Sequence, residues 1–196
     1  MLGVTGKHCS GKNALVTFLQ SLGFTEIDVD KVGHQFLGDG RVEEKLRRHF
    51  GDKIFTREGT IDRRALGQRV FRDIRELRVL ESIIHPPMVR QVELTLEKLS
   101  GSVVLNAAVL FRMGLEQFCH VVVCVRAPLL QRVRRARRRD RSKLIRILRR
   151  MRAQRGICSK LNANGVDIYY VDNDRGLDHL HTQILKILRE KGQKTI

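Results

Sequence analysis

The stretch GKHCSGKN, residues 6–13, sets Gly6, Gly11 and Lys12 at the spacing G-x-x-x-x-G-K. That spacing suits a loop that wraps a nucleotide's phosphates. Successive backbone N–H groups curl around the anion, the following helix adds the positive end of its dipole, and the lysine ammonium reaches the terminal phosphates. Gly6, Lys7, His8, Cys9, Ser10, Gly11, Lys12, Asn13 and Ala14 are the expected contacts. An ordinary structural turn is the competing reading. A Ser or Thr hydroxyl that touches Mg2+ normally follows the lysine, and here Asn13 stands in its place. An amide oxygen is still a neutral, hard ligand of the kind Mg2+ accepts. It sits one bond farther out, so contact through a water or with strained geometry is expected.

Phosphoryl transfer also asks for an oriented hydroxyl, an acceptor for its proton and positive charge around the moving phosphate. Asp28 and Asp30 close the strand-like FTEIDVD, and Asp30 is the natural group to orient or deprotonate a hydroxyl. Either carboxylate also reads as a helix N-cap. His85 and Arg90 bracket Pro86 and Pro87 at what reads as a helix start, which suits substrate contact or a capped helix with a solvated arginine. Arg63 and Arg64 divide evenly between substrate contact and structural ion pairing.

These residues need a frame. MLGVT reads as a short buried strand, NALVTFLQSLG as a helix ending at Gly23, and FTEIDVD as a second strand. From about Val32 to Leu99 apolar residues recur three and four apart, as in VEEKLRRHF and PMVRQVELTLEKL, and predict helices. SVVLNAAVLF and HVVVCVRAP are continuous apolar runs of the kind found in parallel sheets covered on both faces. DIYYVDND predicts a last strand and GLDHLHTQILKILREKG an amphipathic final helix. Strands alternating with helices predict a doubly wound α/β domain, with the helical block and an Arg-rich stretch as two excursions.

Composition narrows the partners. The 196 residues, 42 % apolar, suffice for one core and one domain. The apolar runs are strand-sized, too short to span a bilayer, and the chain's opening leaves no room for a secretory signal, so a cytoplasmic setting is expected. Cys9, Cys119, Cys124 and Cys158 show no C-x-x-C spacing and are expected as reduced thiols. Of the net +17, Arg132 to Arg155 supplies the greater part, with twelve Arg and Lys143 against Asp140 alone. Such a field attracts nucleotide phosphates, CoA-type cofactors or nucleic acid. One nucleotide cannot use twelve arginines, so most are expected to face solvent. Leu144, Ile145, Ile147, Leu148 and Met151 give that segment one packing stripe.

From residue 2 to about residue 185 the chain resembles the dephospho-CoA kinase family. TGKHCSGKN resembles its loop, with Lys7 and Cys9 where Gly is usual, and IDVD at 27–30 its Ile-Asp-Ala-Asp segment. IDRRALGQRVFRD at 61–73 and HPPMVR at 85–90 resemble its most recognisable stretches. VVLNAAVLF resembles its Leu-Asp-x-Pro strand, with Asn106 in place of the Asp and Ala108 in place of the Pro. RRD at 138–140, Gln154, Lys160 and VDN at 171–173 resemble its lid and adenine-side strand.

The resemblance implies a three-layer α/β/α fold of P-loop NTPase type with a parallel sheet, as a single kinase domain over 1–196. It implies a helical substrate region at 32–99 and an Arg-rich lid at 130–156. The implied reaction moves the γ-phosphoryl of ATP to the ribose 3′-hydroxyl of dephospho-CoA, with Mg2+. It assigns catalysis to Asp30 as general base, Lys12, and the lid Arg139 beside Asp140. Substrate contact falls to Thr5, Asp30, Arg64, His85 and Arg90, an adenine contact to Asn173, and metal or its waters to Asn13, Asp28 and Asn106. Asn13 and Asn106 both depart at metal-side positions, so an active kinase with a weaker, more water-mediated metal site is expected. A different small-molecule kinase, a catalytically impaired CoA- or ATP-binding module, and a basic nucleic-acid binder on a kinase fold stand as alternatives.

Overall fold

The computed structural model describes residues 1–140, 147, 151, 158 and 165–192. In chain order its elements are β1 Leu2–Gly6, α1 Lys12–Ser21, β2 Thr25–Asp28, α2 Val29–Phe36, α3 Gly40–Phe50, α4 Arg63–Val70, α5 Ile74–Leu96, β3 Val103–Asn106, β4 Val121–Arg126, α6 Leu129–Asp140, β5 Asp167–Asp172 and α7 Leu177–Glu190. The chain divides into two compact units, one of Met1–Asp28 with Leu99–Ile196 and one of Val29–Lys98.

The first unit is built on a parallel five-stranded sheet in the order β2-β3-β1-β4-β5. The chain leaves β1 to one side for β2 and later returns to β4 on the other, so the order reverses beside β1. Open parallel sheets bind ligands at that reversal, beyond the strands' carboxyl ends, and the 6–13 loop occupies that position. Residues alternate between faces along β4. Val121, Val123 and Val125 join Leu2, Val4, Leu15, Val16, Leu19, Leu180 and Ile184 in a core that α1 and α7 cover. Burying each such side chain stabilises the fold by roughly 1.5–3 kcal/mol. On the other face, Gly3 lies under Cys119, Leu110 and Val122, so close that a Cβ there would stand 2.8 Å from Cys119 Sγ.

The second unit is helical. Three of its helices, α3, α4 and α5, start at an aspartate: Asp39 accepts from the N–H of Arg41 and Val42, Asp62 from Arg64 and Ala65, and Asp73 from Arg75. These are N-caps that satisfy otherwise orphaned donors. α5 packs against α2, α3 and α4. The α2–α5 approach is tight at Gly33, where a Cβ would fall 2.8 Å from Met88 Cε.

Several expectations need correction. β2 stops at Asp28, and Asp30 is the second residue of a helix rather than a strand end. The apolar spacing that begins at Val29, fully buried together with Gly33 on one face of α2, carries the chain into a helix at once. Pro86 and Pro87 lie inside the 23-residue α5 rather than at its start. Leu77, Met88 and Val92 are buried on both sides of the prolines, so packing outweighs a backbone cost of about 3 kcal/mol. β3 ends at Asn106, and the apolar run beyond it turns into a short 3-10 segment, Leu110–Met113, closed by Gly114 at φ 68°. Cys124 and Cys158, expected as reduced thiols, form a disulfide with Cα atoms 6.1 Å apart, within the range that a bridge spans. Cys124 belongs to the β4 face opposite the α1–α7 core, a placement that a separation of 34 residues hides in the sequence. Among the described residues no helix is long and apolar enough to cross a membrane.

Candidate phosphate-binding and catalytic residues

Residues 6–13 leave β1 and enter α1 through backbone that only some residues tolerate. Cys9 sits at φ 58° and Gly11 at φ 104°, both left-handed, while Ser10 N closes the turn on Lys7 O at 2.9 Å. Backbone of this kind turns N–H groups toward a common centre and forms an anion-binding concavity. α1 begins at Lys12 with no side-chain cap and no acid in its first turn, which leaves its N-terminal donors and dipole to an incoming anion. Gly6 is enforced by space, because a Cβ would lie 2.6 Å from both Ser10 Oγ and Val125 O. Gly11 is enforced twice, by its φ and by Asn173 Nδ2 standing 1.9 Å from where a Cβ would be. Lys12 and Ser10 are buried, Asn13 and Lys7 are exposed, and Ala14 is half-buried.

Three side chains tie down the loop's carbonyls. Arg132 Nε donates to His8 O at 2.9 Å. Arg135 Nη1 and Asn173 Nδ2 both donate to Ser10 O, at 3.3 and 2.9 Å. Arg135 also holds Asn173 through the latter's backbone oxygen at 3.1 Å and side-chain oxygen at 3.3 Å. Asn173 is itself buried and extends the sheet by one bond, its N–H reaching Arg126 O at 2.8 Å. Arg139 Nη2 lies 3.5 Å from His8 Nε2. Burial pulls the Arg132 guanidinium below the usual arginine range, partly opposed by the Cys9 thiol. In the sequence alone Arg132 and Arg135 read as two of many solvated arginines. The signal was in the helical phase, since both share the α6 face that carries Val133 and Ala136, and Ala136 is fully buried against Cys9, Ile147 and Met151.

At the sheet's carboxyl edge Asp28 and Asn106 are register partners in neighbouring strands. Asn106 is buried and donates Nδ2 to Glu26 Oε1 at 2.6 Å. Its Oδ1 is buried with no hydrogen-bond partner among the described residues. The Asn106 amide oxygen and the neighbouring Asp28 carboxylate are a sparse pair of hard oxygens. Among the described residues no cluster of three or more His, Cys, Asp or Glu forms. Two such oxygens are chemically compatible with Mg2+, which keeps several waters and takes few protein ligands. Thr5 is fully buried and donates its hydroxyl to Ala108 O at 3.3 Å.

In the helical unit, Asp30 and His85 each lie one turn from the Gly33–Met88 contact, on α2 and α5. Arg64 and Arg90 are exposed on α4 and α5, and Arg63 Nη2 reaches His34 O at 3.3 Å. Of the lid at 130–156, residues 141–146, 148–150 and 152–156 lie outside the described residues, as do Lys160 and the Asp140 side chain. Of the apolar stripe there, Ile147 and Met151 are described, and both are buried.

The sequence profile of the dephospho-CoA kinase family matches residues 1–179. The dephospho-CoA kinase of Borrelia garinii subsp. bavariensis is 31 % identical over 195 residues, covering 97 % of this chain and 93 % of that protein. A crystal structure of a Thermus thermophilus protein superposes with a TM-score of 0.76 at 30 % identity over 96 % of each chain. The dephospho-CoA kinase from Campylobacter jejuni superposes at 0.65, with 25 % identity over 98 % of each.

Proposed function

The chain belongs to the dephospho-CoA kinase family, and from that membership we propose that it moves the γ-phosphoryl of ATP to the ribose 3′-hydroxyl of dephospho-CoA, giving coenzyme A and ADP. The observation that carries this reading is the 6–13 loop. Its two glycines have no room for a side chain and its outward carbonyls are tied by Arg132, Arg135 and Asn173, so its N–H groups are committed to an anion before one arrives. Such preorganisation is what phosphoryl transfer requires.

The 3′-oxygen attacks the γ-phosphorus while the bond from that phosphorus to the bridging oxygen breaks, and ADP leaves. The hydroxyl proton goes to the Asp30 carboxylate. Lys12 and the loop N–H groups hold the β and γ phosphates, and Arg139 adds positive charge as the phosphoryl moves. Thr5, Arg64, His85 and Arg90 serve the acceptor side, and the helical unit is read as its docking region. Thr5 acts through the backbone it fixes at Ala108. Asn173 supports the loop from the adenine side. Asn13, Asp28 and Asn106 are the residues that would hold Mg2+ and its waters. When bound, the ion neutralises charge on the β and γ phosphates.

An acceptor panel tests this reading. With ATP and Mg2+ present, dephospho-CoA is expected to be consumed with release of ADP, while AMP and CMP are not phosphorylated. Phosphorus NMR should report a new 3′-monoester. Turnover of a nucleoside monophosphate in preference to dephospho-CoA would assign the chain to a different reaction.

A further inference from the structure

The outward face of α6 carries two features that neither the phosphate loop nor its clamps use. The first is bare positive charge. Arg137 and Arg138 follow Arg134 by three and four residues, so the three share one side of the helix, and all are exposed. None meets a carboxylate among the described residues. Elsewhere the chain pairs arginines locally: Arg69 with Glu76 at 3.3 Å, Arg75 with Asp73 at 3.0 Å and Arg126 with Asp172 at 2.7 Å. Around α6 such pairing is scarce, because Asp140 is the only acid between Leu129 and Val166. Like charges at this spacing weaken a helix, so the stripe is unfavourable until an anionic partner meets it.

The second feature is apolar. Leu130 stands four residues before Arg134 and eight before Arg138, on the same face, and at 83 % it is the most exposed large apolar side chain among the described residues. Leu129 comes next at 55 %. Gln131 Nε2 donates to Asp174 O at 3.0 Å, which joins the start of α6 to the turn before α7, and exposed Leu177 opens α7. Single exposed leucines need no explanation. Three at the adjoining starts of two helices, next to unpaired arginines, do. A polynucleotide would take the arginines through its phosphates and leave the leucines in water. An anionic bilayer takes both, since its headgroups meet the guanidiniums while the leucines enter the boundary with the acyl chains.

We propose that the face of α6 carrying Leu130, Arg134, Arg137 and Arg138 docks on the surface of a bilayer that contains anionic phospholipid. The contact lies in the plane of the surface, as no described helix is long and apolar enough to cross a membrane.

The full chain is mixed with vesicles of phosphatidylcholine alone, or of phosphatidylcholine with phosphatidylglycerol, and the bound fraction is measured by sedimentation. Preferential binding to the anionic vesicles is expected. Each guanidinium near such a surface contributes about fivefold. The triple variant Arg134→Gln, Arg137→Gln, Arg138→Gln should therefore bind about tenfold more weakly or worse. Leu129→Ser with Leu130→Ser should lose about fivefold or more. The chain has no tryptophan, so Leu130→Trp places a single reporter on the face, and its reading stands even where the other variants do not fold. Its emission should shift to the blue with anionic vesicles and not with neutral ones. Absent or equal binding to the two kinds of vesicle overturns the proposal, as does an unshifted emission from bound protein. Affinity within twofold of the parent in either folded multiple variant overturns it too. An RNA duplex that displaces the anionic vesicles without moving the tryptophan emission would make a polynucleotide the occupant and overturn the bilayer reading.

Discussion

Asn106 donates its side-chain amide to Glu26, Nδ2 to Oε1 at 2.6 Å, and the second oxygen of Glu26 accepts from Gln20 at 3.1 Å. Only the NH2 end of an amide can donate to a carboxylate, so Glu26 fixes which way Asn106 faces and turns its Oδ1 elsewhere. An aspartate at 106 would set two carboxylates against each other. Asn106→Asp is therefore expected to lower stability by roughly 1–3 kcal/mol at neutral pH, read from urea unfolding. Adding Glu26→Gln to the same chain should return most of the loss. An Asn106→Asp protein as stable as the parent would show that the contact is not structural.

Gly11 is held by φ 104° and by the approach of Asn173 Nδ2. Gly11→Ala should weaken ADP binding by at least about tenfold, since the loop must move to admit a methyl group. Asn173→Ala in the same chain should recover part of that loss, because it relieves the clash and leaves the backbone strain. Calorimetric titration of the three variants checks the ordering.

The cysteines should separate into three reactivities. Burial pushes the Cys119 thiol up to about 12, so almost no thiolate forms near neutral pH and alkylation of the native protein should spare it. Cys9, half-buried in the loop, should react, and nucleotide should protect it. Without reductant the Cys124–Cys158 pair should leave the intact chain lighter by two hydrogens and appear as one cross-linked peptide. Four alkylated cysteines in protein unfolded without reductant would contradict the bridge.

Glu116 is buried, and desolvation pushes its carboxyl above the usual range, with a backbone hydrogen bond opposing. Because the folded-state value is raised, its contribution to stability is fully present below the ordinary carboxylate range. That contribution is lost as pH rises through the raised value. Glu116→Gln removes the dependence. The variant should be more stable than the parent by roughly 1 kcal/mol at about pH 7 and gain nothing at about pH 4. Equal stability at both pH values would rule out a buried ionisation penalty.

The parallel sheet, the phosphate loop and the final helix were legible because each rests on a local pattern: a continuous apolar run, a glycine spacing, a 3.6-residue period. What escaped depended on contacts distant in sequence. Asp30 reads as a strand end because two alternations of IDVD look like β structure until Val29 is buried as the first residue of a helix. Pro86 and Pro87 read as a helix start because proline's local preference is strong, yet buried Leu77, Met88 and Val92 hold α5 together across them. The grip of Arg132 and Arg135 on the loop joins residues 124 and 125 positions apart. Among the described arginines of that run, composition conceals that Arg132 is buried and Arg135 half-buried while Arg134, Arg137, Arg138 and Arg139 are exposed.

Asn13 and Asn106 are expected to leave a working kinase, because the cradle, Asp30 and Arg139 remain. Mass-resolved analysis of products tests it most directly, with dephospho-CoA, ATP and Mg2+ varied up to saturation. The predicted result is coenzyme A and ADP in equal amounts, with a magnesium requirement that falls in the Asn13→Ser variant. No phosphorylated product at saturating magnesium, from protein that still binds both ligands, would contradict the account.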